Sequence, residues 1–423
     1  MISRKARLEF LALLILAGLG LAFRHPGFLL LSIPLVWHFT LGLSLMPRNP
    51  RESLLVQREV WPRRISEGER VQVTVEVKNI GKQKVSLFVR DGPYPRFPVS
   101  EGTSWALGTL KPGESLTIAY KSQPLRGLHR LHAVAAEVRD PLGLALEELE
   151  FPCLQEVLVL PRYENLSRLE LAARRTLPMP GTARARRGGI GLEFFGVREY
   201  RPGDEGRRLA WKAYARRGEP VVVEYEQERA ADVAVILDVR ARAYRGAPPE
   251  LFDHAVRAAA ALAHYHLRQG HRVGLLKYGA VLAWLFPGYG RRHGEKILRE
   301  LAQAELGESE VFAELAHLPT RLLPTGSLLL FVSPLLFGDE ETLGKLVARG
   351  YRVLVVLPDP ASLTFGRLEK TWEAEVARQV LTLERWALLR RTQRSGVAVV
   401  VWDVRRPLAG LVRKLRVATH IWR

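Results

Sequence analysis

Glu193, Glu199, Asp204 and Glu205 crowd into residues 191–228, GLEFFGVREYRPGDEGRRLAWKAYARRGEPVVVEYEQE. Paired carboxylates are the equipment of acid–base chemistry, in which one group holds a proton that the other surrenders. Each of these four has an arginine close in sequence, among them Arg198, Arg207 and Arg208. A nearby guanidinium keeps a carboxylate ionised, so the pattern favours fixed ion pairs over proton transfer. Further on, Glu224, Glu226 and Glu228 recur at every second position, which is one face of a strand. Three like charges in a row need basic neighbours or water. The stretch therefore reads as an Arg–Glu lattice, with Phe194, Tyr200 and Trp211 packed around it, used for structure or protein recognition.

The other residues that could do chemistry are weaker. Gly188, Gly189 and Gly191 match neither phosphate-loop pattern, and no strand is expected before them. His264 and His266 lie two apart on an expected helix and do not share a face. Cys153, the one cysteine, excludes a disulfide within the chain and reads as a small apolar residue at a strand start. No H-E-x-x-H run or Cys/His cluster occurs, so neither a metal nor a cofactor is expected.

The chain has 423 residues and a formal charge of +19, with twelve Lys/Arg against four Asp/Glu in residues 174–217. That balance suits acidic partners: an acidic protein, or a polyanion such as anionic lipid or nucleic acid. Phosphate contacts would make polyanion binding fall steeply with salt. This is the competing reading of the region; no sequence-specific nucleic-acid partner is expected.

The elements around these residues suggest a multi-domain protein. Residues 1–50 hold two apolar runs, Phe10–Phe23 and Phe28–Met46, broken at Arg24-His25-Pro26-Gly27. They predict a transmembrane helical hairpin in the bilayer of the cell's inner membrane. The basic residues outside the turn place the soluble domains in the cytoplasm. Residues 51–155 alternate apolar and polar, as at Val71, Val73, Val75 and Val77, and predict an antiparallel β-sandwich. Residues 156–230 read as a basic connector that carries the 191–228 stretch, with a short helix near Leu166, Leu169 and Ala173 and a mobile TARARRGG segment. Residues 231–423 alternate apolar strands with helices and predict an α/β doubly wound parallel sheet.

Gly191, Glu193, Phe194, Gly196, Arg198, Glu199, Tyr200, Gly203, Asp204, Arg207, Trp211, Lys212, Ala213, Ala215 and Arg216 together resemble the signature of a bacterial family, domain of unknown function 58. The resemblance extends over most of the chain. It implies a von Willebrand factor A-like C-terminal domain, and a non-enzymatic, membrane-anchored adaptor or scaffold. A MoxR-type AAA+ ATPase is the implied partner, with a transglutaminase-like membrane protein as another, in assembly or remodelling of complexes.

Such domains hold magnesium at a D-x-S-x-S run, whose hydroxyls and carboxylates suit a hard cation. This chain has Asp238-Val239-Arg240-Ala241-Arg242 in that place, and Ser333-Pro334 where a second aspartate is expected. Asp238 is thus a remnant of a metal site, expected to pair with Arg240, Arg242 or a partner's basic group.

Overall fold

The computed structural model describes residues 4–45, 49–140, 142, 144, 146–166, 176–178, 184–279, 283–308, 325–364 and 371–411. The chain divides into two compact units, residues 1–160 and 161–423.

The first unit begins with two helices, α1 (Arg4–Ala22) and α2 (Pro26–Leu45), that fold back on each other, with Phe10 against Phe39. The transmembrane hairpin expected here is corrected. Among the described residues no helix is long and apolar enough to cross a membrane. After Lys5, Arg7 and Glu9, α1 has only Phe10–Ala22 free of charge, about 20 Å of helix against roughly 30 Å of hydrocarbon. α2 contains Pro34 and His38, and His38 bonds Glu9 across 3.0 Å. Lys5 Nζ donates to the Leu142 carbonyl at 3.0 Å, and Ala6 is buried, so the start of α1 is tied to the strand-rich part of its own unit.

A single-turn helix, α3 (Pro50–Ser53), leads into β1 (Leu54–Trp61), β2 (Arg64–Ser66), β3 (Val71–Asn79), β4 (Val85–Asp91), β5 (Val99–Gly102), β6 (Trp105–Leu110), β7 (Ser115–Ser122), β8 (Gly127–Arg139) and β9 (Leu146–Leu160). They form two sheets, β1-β3-β7-β5 and β2-β9-β8-β4-β6. Period-two patterning builds the core: Val71, Val73, Val75 and Val77 are fully buried and face Leu87, Val89, Val134 and Val138. Each such side chain contributes about 1.5–3 kcal/mol of burial.

The same periodicity puts Arg58 inside, where its guanidinium pairs with Asp91 at 2.5 Å. Its remaining donors reach the Leu131, Ala133 and Cys153 carbonyls and the Tyr94 hydroxyl, and Tyr120 also donates to Asp91. A buried pair this well bonded is tolerated because no charge is left unmet. Burial and the Asp91 charge push the Tyr94 and Tyr120 hydroxyls well above the usual phenol range.

The second unit holds β10 (Thr176–Pro178), β11 (Arg184–Glu199), α4 (Trp211–Arg217), β12 (Val221–Asp238), α5 (Glu250–Arg268), β13 (Arg272–Tyr278), β14 (Ala283–Gly288), α6 (Gly290–Ala302), β15 (Leu328–Val332), α7 (Asp339–Ala348), β16 (Arg352–Pro358), α8 (Pro360–Thr364), α9 (Trp372–Arg394) and β17 (Ala398–Trp402). The sheet order is β14-β13-β12-β15-β16-β17; every pairing is parallel except β13 with β14, a departure from an all-parallel sheet. On one face α5 lays Ala255, Ala258, Ala259 and Leu262 against the strands, and small residues let the helix approach closely. Strand order reverses beside β12, where β13 lies on one side and β15 on the other. Open α/β sheets place ligand sites beyond the carboxyl ends of the strands at such a point.

Two features of the connector differ from expectation. Residues 184–189 of the TARARRGG segment, expected to be mobile, are part of β11, which is antiparallel to β12 with register shifts near Gly188, Gly189 and Gly196. The glutamate-rich strand and the first sheet strand are one element, β12, because nothing between Glu228 and Asp232 breaks an extended chain. The helix expected near Leu169 and Ala173 lies outside the described residues.

Candidate functional site

Two charged clusters lie along β12, one near each end. At the signature end, Arg198 in β11 grips Asp204 with both terminal nitrogens, at 2.6 and 2.7 Å. The loop between them is built for that grip. Gly203 has φ of +105°, a conformation that side chains rarely adopt. Asp204 also accepts from the Arg201 backbone N–H at 2.8 Å. These bonds, the Arg198 one foremost, hold the Asp204 carboxyl down at about 2. Glu205 bonds Arg207 at 2.7 Å and lies 3.4 Å from Arg208, and its carboxyl is lowered as well, chiefly by Arg207. So the three arginines meet acids of their own chain, and no proton-carrying carboxyl is prepared at Asp204 or Glu205. Glu199 is exposed beside them, its carbonyl taken by Arg198.

Backbone bonds then dock α4 onto the strand: Tyr200 N–H donates to Pro220 and Ala210 N–H to Val221. Leu209 forms a bridge to Val222, and both Val221 and Val222 are buried. The packing expected of Trp211 is corrected here. Trp211 is 65% exposed and Tyr214 is 39% exposed, their rings edge to face at 6.5 Å. The helix is seated through Leu209 and its backbone, which leaves the rings outward. Lys212 and Arg216 share the exposed surface, and Tyr200 is only partly covered. The side chains of Glu193, Phe194, Glu224, Glu226 and Glu228 lie outside what the structure describes; the backbone register sets Phe194 opposite Tyr225 and Gly196 opposite Glu224.

At the other end of β12, Asp238 is the last residue of the strand, at its carboxyl end where the strand order reverses. Arg240 donates to it through Nε at 2.9 Å and Nη2 at 2.7 Å. The expected pairing with Arg240 is therefore present, and a third residue joins it. Asp339, the first residue of α7, accepts from the same guanidinium at 3.0 and 2.7 Å. Ser333 donates to Asp238 at 2.6 Å and accepts from the Leu335 N–H; the Leu336 N–H donates to Asp339. All four side chains are buried. Burial opposes the Arg240 charge, but the bonds to Asp238 and Asp339 outweigh it and tighten its hold on the proton.

Sequence reading missed Asp339 because the acid follows Ser333 by six residues, across a loop, instead of standing beside it. The available signal was an acid at the first position of an evident helix, DEETLGKLVA. A cation is thus built into this site as a side chain. Its guanidinium takes the oxygens that a divalent ion would need, so these residues do not fit magnesium.

Cys153 lies 3.5 Å from the Val56 carbonyl, and burial pushes its thiol up, away from thiolate chemistry. His264 meets the Tyr163 hydroxyl at 3.2 Å, while His266 is buried elsewhere on α5.

Residues 196–375 match the family described as Protein of unknown function DUF58. The match covers that segment, not most of the chain, and it contains both charged clusters. The uncharacterized protein YeaD of Bacillus subtilis is 24% identical over 285 residues, 66% of this chain and 69% of that protein. The uncharacterized protein Rv1480 of Mycobacterium tuberculosis is 33% identical over 130 residues, 30% of this chain and 41% of that protein. Among solved structures, the CARDB domain of the PF1109 protein from Pyrococcus furiosus is 22% identical, covering 27% of this chain and 94% of that domain, with a TM-score of 0.19.

Proposed function

We propose that this chain is a non-enzymatic adaptor whose signature region presents a docking surface to a protein partner. One observation carries the reading: Trp211 and Tyr214 face outward beside Lys212 and Arg216, on a helix braced by the Arg198–Asp204 pair. Exposed aromatics flanked by cations are the usual anchors of protein interfaces and fit an acidic surface. The pairing of Asp204 and Glu205 with arginines, which lowers both carboxyls, favours recognition over acid–base work there. In the second unit, an antiparallel third strand in a 3-2-1-4-5-6 order supports a von Willebrand factor A-like reading. The partner is then a MoxR-type AAA+ ATPase, in assembly or remodelling of complexes, as the family resemblance suggests.

The test is a binding titration of the full chain against such an ATPase and, separately, against heparin, each from low to high salt. An adaptor binds the ATPase with an affinity that survives high salt, because buried aromatics carry it. Binding to heparin alone, collapsing with salt, replaces this reading with the polyanion one, which the 79%-exposed Arg207 side chain would serve.

A further inference from the structure

The face of α9 turned away from its domain carries Trp372, Val376, Val380, Leu383 and Trp386, which are 73, 47, 49, 66 and 56% exposed. They follow one another at intervals of four, four, three and three residues, which sets all five on one side of a helix. The opposite side is the anchored one. Leu388 and Thr392 are buried, and Arg385 bonds Asp359 at 2.9 Å. Residues 375–380 are exposed all round. Helix without a core behind it is marginal in water, and a continuous apolar stripe marks an interaction surface where scattered apolar residues do not.

Charge along α9 says what covers the stripe. Glu373 and Glu375 stand in the first turn, and Arg391 and Arg394 in the last, with Arg390 stacked on Trp386. We propose that a second copy of this chain packs its own α9 on the stripe, antiparallel to the first. That direction sets the acidic end of each helix against the basic end of the other, twice by two-fold symmetry. Val380 of one copy then meets Leu383 of the other. A parallel pair would bring like charges together. The Arg378–Glu375 bond does not compete strongly, since both side chains are half exposed.

Sedimentation equilibrium of the full chain over a micromolar concentration series tests this. The expected result is a dimer that Leu383→Glu converts to monomer without altering the unfolding curve of dilute protein. Glu373→Arg with Glu375→Arg should weaken the dimer about tenfold. Adding Arg391→Glu and Arg394→Glu to the same chain should restore it, because the swapped ends are again complementary. A wild-type monomer at tens of micromolar, a dimer indifferent to Leu383→Glu, or a charge swap that fails to restore association would each overturn the proposal; a stripe that binds only a different protein gives the first of these.

Discussion

Arg240 holds Asp339 through two hydrogen bonds, 3.0 and 2.7 Å long, across 99 positions of sequence. The contact joins the end of β12 to the start of α7 and is buried throughout. Asp339→Ala removes one partner and leaves the rest of a charged cluster without water. Arg240 keeps Asp238, but two of its bonds and the acceptor of the Leu336 N–H are lost, which costs about 1–3 kcal/mol. Urea unfolding should show a lower midpoint with an unchanged slope, and Asp339→Asn, which keeps the size and one acceptor, should be milder.

Asp204 is expected to stay ionised well into acid. Its folded carboxyl titrates at about 2, below the ordinary aspartate value of roughly 3.9. The sign is that of a depressed acid: the stabilisation is complete above the ordinary value and fades as pH falls toward 2. Carboxyl-carbon NMR of the full chain should place its inflection there. Arg198→Gln should return it toward the ordinary value, with Asp204 still accepting from the Arg201 N–H.

His266 is expected to act in the same direction by a different cause. It is fully buried, neither ring nitrogen has a partner among the described residues, and its ring lies 5.5 Å from that of His271. Burial first, and the neighbouring His271 second, hold its pKa down at about 3, against roughly 6.5 when unfolded. The unfolded chain therefore takes up the proton first as pH falls. Stability is complete above 6.5 and declines toward 3, by about 2 kcal/mol at pH 5. His266→Phe should flatten most of that decline in unfolding curves recorded from pH 7.5 to 4.5, leaving the smaller part due to His271, which burial also lowers.

Much of the fold was legible where one period dominates. The valines of β3 alternate strictly, and α5 keeps apolar residues at helical spacing, so local pattern and tertiary burial agree. β14 was missed because it is short and contains Pro287, which reads as a break. The N-terminal helices formed, but among the described residues no helix is long and apolar enough to cross a membrane, and α1 is free of charge only after Glu9. Arg58 had left a signal: it occupies an inward position in the alternation Leu54, Val56, Arg58, Val60 and must find an acid there. In the candidate site the local pairs Arg198–Asp204 and Asp238–Arg240 were readable, since each spans a few residues. Asp339 was not, because only the parallel sheet brings its helix beside β12. Trp211 was misjudged as well, as a large aromatic is more often covered than displayed.

Display of Trp211 by α4 for a partner, as proposed, is read from the affinity of the Trp211→Ala chain for a MoxR-type AAA+ ATPase, measured beside its thermal unfolding. The predicted result is affinity weakened by about thirtyfold or more, the loss of a hot-spot aromatic, with the melting temperature almost unchanged. Unchanged affinity with a melting temperature many degrees lower would mean that the ring serves the fold and not the interface.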